Sequence, residues 1–267
     1  MRPNPLAKMY VYLASKKCFQ GINNKVLNSA LKVRGYNNYL DYEDSGEKYF
    51  LETVLPSIEP KVCIDVGANV GSYATMLLEN TVATVYSFEP LTKPFESLLS
   101  LKTRYPDRFF PINNGVGEKN EILTIHYDDE STTRASFLED IKNVSYVKNE
   151  RVQNIDVVSL DSYFQEGIVD EIDFIKIDTE GFEYQVLLGS KNIISIYKPK
   201  FIQIEYNWHQ LFSGQSLFAL SKILEGYQPY QLLKDRLEIR DPKDPLANIY
   251  LFSNFIFVRN DLIGKVL

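Results

Sequence analysis

The spacing of apolar residues alternates between helical and extended periods, and these changes divide the chain into elements. In residues 1–35, Leu6, Met9, Tyr10 and Leu13, then Phe19, Ile22, Val26, Ala30 and Val33, recur at helical spacing. Gly21 and the Asn23–Asn24 pair are expected to break this stretch into two helices. A helix is also expected over 45–55, capped by Ser45, lined by Phe50, Leu51, Val54 and Leu55, and stopped by Pro56. Val62, Ile64 and Val66 then mark a buried parallel strand. After it come a helix over about 71–79, a strand over 84–90, an amphipathic helix over 91–104 and a third strand over 109–112.

The second half continues the alternation with longer interruptions. Residues 121–127 alternate and read as an extra strand. Residues 128–150 are polar, with Ser131, Thr132, Thr133 and Ser136, and a loop of that length is expected to be functional or mobile. Residues 152–160 are extended, with Asp161 capping a short helix. The core strands resume at 172–178 and 201–205, separated by a helix over 181–196. A helix over 216–225, a strand over 230–233, a charged connection over 234–253 and a closing strand over 255–258 complete the chain. Five β-α units followed by a strand and a returning strand imply an α/β fold. Its seven-stranded sheet is mostly parallel, with helices on both faces. Residues 1–43 are set apart as a helical extension and residues 44–267 as the domain.

The chemistry concentrates at the carboxyl ends of the strands, where open α/β sheets bind ligands. The first strand runs into Asp65-Val66-Gly67-Ala68-Asn69-Val70-Gly71. Gly67 lets a ligand approach the backbone, and the helix starting near Gly71 aims its free N–H groups at that ligand. A dinucleotide site would carry glycine where Asp65 stands. A carboxylate there suits a cationic ligand, and S-adenosylmethionine carries both a sulfonium and an ammonium. Glu89 ends the second strand 24 residues after Asp65, the place from which an acid reaches ribose hydroxyls. Asn114 and Val116, after the third strand, are expected to border an adenine ring.

Asp178 and Glu205 end the fourth and fifth core strands, and Glu180 and His209 follow them closely. Any of the four could take a proton from an attacking hydroxyl. Asp178 ranks first, because carboxylates crowded together have raised pKa values, then Glu180, with His209 and Glu205 behind. Glu180 can also be read as a helix cap, and His209 as an inert loop histidine. His126 reads as structural. Asp178 with Glu205 could supply two ligands to a divalent ion, but the expectation is that no metal is used.

Composition narrows the class. The 267 residues carry a net charge of −6, which argues against a nucleic-acid binder. No apolar run reaches the length of a membrane span. The absence of a signal-peptide pattern and of paired cysteines favours the cytoplasm; Cys63 lies inside the first strand as a core thiol. Residues 1–35 hold Arg2, Lys8, Lys16, Lys17, Lys25, Lys32 and Arg34, and the first acid is Asp41, so the remainder sums to about −13. This stretch is either a helical cap with a solvated basic face or a docking face for an anionic membrane or an acidic substrate.

The segments CIDVGANVGSYA, VYSFEP, VVSLDSYF and IDFIKIDTEGFEYQVLLGSKNII, with IEYN beyond them, resemble the FkbM family of S-adenosylmethionine-dependent methyltransferases. The resemblance covers roughly residues 44–258, and Lys176–Glu183 is its most specific block. It implies a class I, Rossmann-like methyltransferase sheet and O-methylation, commonly of sugar hydroxyls in surface polysaccharides or of natural products. It also implies donor-binding roles for Asp65, Gly67, Asn69, Gly71 and Glu89, and an acidic site block of Asp178, Glu180 and Glu183. The acceptor stays open. A donor-binding protein without turnover, a methyltransferase for a non-sugar molecule and a nicotinamide oxidoreductase are the rival readings.

Overall fold

The computed structural model describes residues 4–128, 135–144, 147–165 and 167–265, so Arg2, Ser131, Thr132 and Thr133 lie outside the described residues. Its strands are β1 (Val62–Val66), β2 (Thr84–Phe88), β3 (Phe109–Ile112), β4 (Gly115–Val116), β5 (Glu121–Tyr127), β6 (Arg151–Val158), β7 (Phe174–Ile177), β8 (Phe201–Tyr206), β9 (Tyr227–Leu233), β10 (Arg236–Ile239) and β11 (Ser253–Arg259). An eight-stranded sheet takes the order β10-β9-β11-β8-β7-β1-β2-β3. The run from β3 to β8 is parallel. β11 is antiparallel to both β8 and β9.

Chain order runs outward in opposite directions from the boundary between β1 and β7. That boundary is a topological switch point, where the loops leaving the strands diverge and open a crevice. The central strands are apolar on both faces because both are covered. One face carries Phe50, Tyr73, Phe174 and Phe201, the other Phe88, Ile177, Ile204 and Leu220.

The helices are α1 (Pro5–Ala14), α2 (Gln20–Val33), α3 (Glu47–Tyr49), α4 (Ser72–Asn80), α5 (Thr92–Arg104), α6 (Leu160–Tyr163), α7 (Glu183–Leu188), α8 (Lys191–Tyr197), α9 (His209–Ser213) and α10 (Leu217–Ile223). None of those described is long and apolar enough to cross a membrane.

Several elements differ from the sequence expectation. The N-terminal break falls at residues 15–19, not at Gly21 and Asn23–Asn24. Asn23 instead clamps the turn: its amide donates to the Ala14 carbonyl at 2.7 Å and accepts from the Tyr10 hydroxyl at 2.8 Å. The helix expected over 45–55 holds regular α geometry only over α3, then loosens over Phe50–Val54 and tightens over Leu55–Ile58. Pro56 does not end it, because it sits at the start of that last tight turn, where no N–H is needed. Asp161 caps α8 through the Asn192 and Ile193 amides, and Ser159 caps α6. The single helix expected over 181–196 is two, α7 and α8, parted at Gly189–Ser190.

The charged connection over 234–253 contains β10, which pairs with β9 as a hairpin and makes the sheet eight-stranded. Arg236-Leu237-Glu238-Ile239 does alternate, but over only four residues in a charged stretch, which is too short for the period of two to stand out. A second, three-stranded sheet of order β4-β6-β5 stands beside the first. It closes one wall of the site.

Candidate active site

The turn after β1 is built for close approach. Gly67 has φ +83°, and a Cβ there would lie 1.8 Å from the Asp178 carbonyl oxygen. Only glycine lets this turn rest on the tip of β7. The Gly67 and Ala68 amides both donate to the Phe88 carbonyl at 3.0 Å. The Asn69 amide donates to Glu89 Oε2 at 2.8 Å, and the Leu91 amide to Oε1 at 2.8 Å. Glu89 therefore ties the turn to the end of β2. Burial pushes its carboxyl up to about 7 against those two donors.

These residues border a cavity of about 400 Å³, within the range of small-molecule sites. Gly67, Asn69 and Glu89 line it from one side and Asn114 and Val116 from another, while Asp178, Glu180 and Glu205 close its acidic end. Gly71 starts α4 just behind the turn. Phe137 and Ile125 reach in beside the second sheet, and Tyr39 and Tyr42 come from the segment after α2. Sequence reading missed this last wall, since 36–44 lacks any regular period.

Asp65 differs from its expected place. Its side chain is wholly buried beneath the turn, 3.8 Å from Lys176 Nζ, and does not line the cavity. Burial raises its carboxyl to about 6, opposed by Lys176. Its carboxyl sits under the turn, beside Lys176.

Lys176 opens the most specific block of the family resemblance, but sequence reading gave it no role in the site. It is 4% exposed and surrounded by acids, with Asp178 Oδ2 at 2.8 Å and the Tyr73 ring centroid at 4.8 Å. Glu47 lies near enough to bear on its charge. Alternation along β7 puts residues 176 and 178 on one side of the sheet, which is the signal that could have found the pair.

The parallel register Ile177↔Ile204 brings Asp178 beside Glu205, and the two carboxyls share a hydrogen bond. Burial opposes a charge on Asp178, but the Lys176 ammonium, the Glu205 hydrogen bond and their neighbours outweigh it and hold Asp178 below the usual carboxylate range. Burial, then the charges of Asp178 and Glu180, push Glu205 well above it. Glu205 thus carries the proton and Asp178 the charge. This reverses the premise that crowding makes Asp178 the strongest base, because Lys176 pays the electrostatic cost that crowding would otherwise impose.

Glu180 sits at φ +53° just before Gly181, whose φ is +101°. A Cβ on Gly181 would lie 2.9 Å from His209 Cβ, so the loop lies against α9. Glu183, not Glu180, caps this turn: its Oε1 accepts from the Thr179 and Gly181 amides, and Gln210 donates to its Oε2 at 2.6 Å. Glu180 Oε2 instead lies 2.8 Å from His209 Nδ1 and accepts from the Asn207 amide at 3.2 Å. His209 is 2% exposed and lies behind Glu180, off the cavity lining. Its Nδ1 also meets Asn207 Oδ1 at 2.7 Å. Two accepting oxygens on one ring nitrogen place the imidazole proton on Nδ1. Ligand atoms of Asp178, Glu180 and Glu205 all lie within 4.8 Å of one another, close enough to hold a divalent ion.

A crevice at the switch point of a mostly parallel sheet, lined by a glycine turn and an acid after the second strand, is the ligand site of a Rossmann-like α/β fold. The methyltransferase FkbM domain matches residues 65–229, and the chain belongs to that family. The hexuronic acid methyltransferase AglP of Haloferax volcanii is 27% identical over 150 residues, covering 56% of this chain and 58% of AglP. The 2-O-methyltransferase NoeI of Sinorhizobium fredii is 26% identical over 184 residues, covering 62% of this chain and 72% of NoeI. The crystal structure of methyltransferase FkbM from Methylobacillus flagellatus aligns with a TM-score of 0.47 and 21% identity, over 74% of this chain and 44% of that one. The matched region spans less than two thirds of AglP and of the FkbM structure.

Proposed function

We propose that this chain is an S-adenosylmethionine-dependent O-methyltransferase acting on a sugar hydroxyl of a glycan. The carrying observation is that the Gly67 turn and the acids Asp178, Glu180 and Glu205 face one cavity. The hexuronic acid and 2-O-methyl activities in the names of AglP and NoeI support a sugar as acceptor.

The residues present fit such a donor. The Gly67–Asn69 turn lines the cavity, Glu89 beside it suits ribose hydroxyls, and Asn114 and Val116 border the far wall. When bound, the donor supplies a methyl group on a sulfonium sulfur. A sugar hydroxyl attacks well only as its proton leaves. Glu180 takes that proton: it lines the cavity, and among the described residues its side-chain partners are His209 and Asn207. Asp178 is held by Lys176 and is the weaker base, so it accepts a hydrogen bond from a neighbouring hydroxyl and orients the acceptor. Holding both partners in line supplies much of the rate.

The test supplies radiolabelled donor with hexuronic-acid and neutral hexose glycans. Label transferred to a glycan oxygen supports the reading. Donor binding without transfer to any acceptor would leave a binding protein. Turnover unaffected by EDTA is expected, because the Lys176 ammonium already stands against Asp178; a loss restored by magnesium would assign the three carboxylates to a metal.

A further inference from the structure

Residues 4–34 are almost entirely outside the packed body. Only Ala14 is buried, with Asn23 and Leu31 half-buried. Large apolar side chains are nevertheless exposed along both helices: Met9, Leu13, Phe19, Ile22, Val26 and Val33 among them, with Val33 at 79%. On α2, Ile22, Val26, Ala30 and Val33 fall on one stripe, and Lys25 and Lys32 run along one edge of it. Helices of 10 and 14 residues gain little from their own hydrogen bonds in water. An apolar stripe of this length is expected to be covered.

Charge says what covers it. Five lysines and Arg34 stand in the described part of this segment, and no acid occurs before Asp41. A basic edge beside an apolar face fits a surface that is both anionic and apolar just beneath its charges. Lysine stems reach past the apolar stripe while their ammonium groups stay at the charged layer. The rest of the chain, at about −13, is repelled by such a surface, so the segment alone faces it. A second copy of the segment would meet it with like charges.

We propose that α1 and α2 form a docking surface for an anionic lipid membrane, lying in its interface without crossing it. Their apolar stripes enter the boundary between headgroups and acyl chains, and Lys16, Lys17, Lys25 and Lys32 contact lipid phosphates. The segment 34–38 links the end of α2 to the cavity wall at Tyr39. That span is at most about 22 Å, so docking holds the cavity close to the lipid.

The test is flotation of the full chain with vesicles containing phosphatidylglycerol and with vesicles of phosphatidylcholine alone. Binding is expected to the first only, and to fall when salt rises from about 0.05 M to about 0.5 M. Two full-length variants separate the contributions: K17E/K25E/K32E and M9S/L13S/V26S. Each should lower partitioning roughly tenfold or more with an unchanged melting temperature, because none of these side chains is packed in the body. No flotation with anionic vesicles, or equal flotation of the parent and both variants, overturns the proposal. So does self-association in sedimentation without vesicle binding, which would assign the face to a second copy.

Discussion

His209 Nδ1 lies 2.8 Å from Glu180 Oε2, and only the carboxylate of that pair borders the cavity. In the proposed mechanism the histidine acts on the acceptor through Glu180, as a positioning residue. Glu180→Gln should lower kcat by about 10²–10⁴ with donor affinity within a few-fold of the parent. His209→Ala should cost less in kcat than Glu180→Gln. Asp178→Asn should raise the KM for the acceptor more than it lowers kcat. Near-normal turnover of Glu180→Gln beside an inactive His209→Ala would make the histidine the base.

Lys176 is the only cation in contact with Asp65 and Asp178 among the described residues. Lys176→Met leaves buried acids uncompensated, and breaking such pairs costs about 3–5 kcal/mol. Melting should fall by roughly 10 °C, more at pH 8 than at pH 5, where the acids can protonate. Equal melting of parent and variant at both pH values would show that the acids are neutral without it.

Donor affinity should depend on Glu89. Glu89→Ala removes a carboxylate at the cavity wall and should weaken binding by about 1.5–3 kcal/mol, measured by calorimetry. Its oxygens also accept from the Asn69 and Leu91 amides, so a modest drop in melting temperature accompanies the loss. An unchanged dissociation constant would remove Glu89 from the donor site.

Stability against pH reports on Asp65. Its folded carboxyl is raised to about 6, so the folded state binds that proton more tightly than the unfolded chain does. The stability it contributes is complete below the unfolded value of about 4 and is lost as pH rises through about 6, by up to about 3 kcal/mol. Asp65→Asn removes this dependence. Its melting temperature relative to the parent should climb between pH 4 and pH 7; a constant difference would mean that Asp65 ionises normally in the fold.

The strand, turn and helix at 62–80 and the acids ending β2, β7 and β8 were legible in the sequence, because strand period, glycine placement and strand ends are local properties of the chain. The resemblance at Lys176–Glu183 likewise lies in one contiguous block. Tertiary structure alone decided which of those acids meets the cavity. Asp65 turns under Lys176, and His209 is screened by Glu180. Tyr39 and Tyr42 become a wall although nothing in their spacing marks them. The charge on Asp178 and the proton on Glu205 depend on distances among side chains brought together from three strands, β1, β7 and β8, and from Glu47. Coulombic coupling and desolvation depend on separation in space, which strand pairing sets and residue spacing along the chain does not.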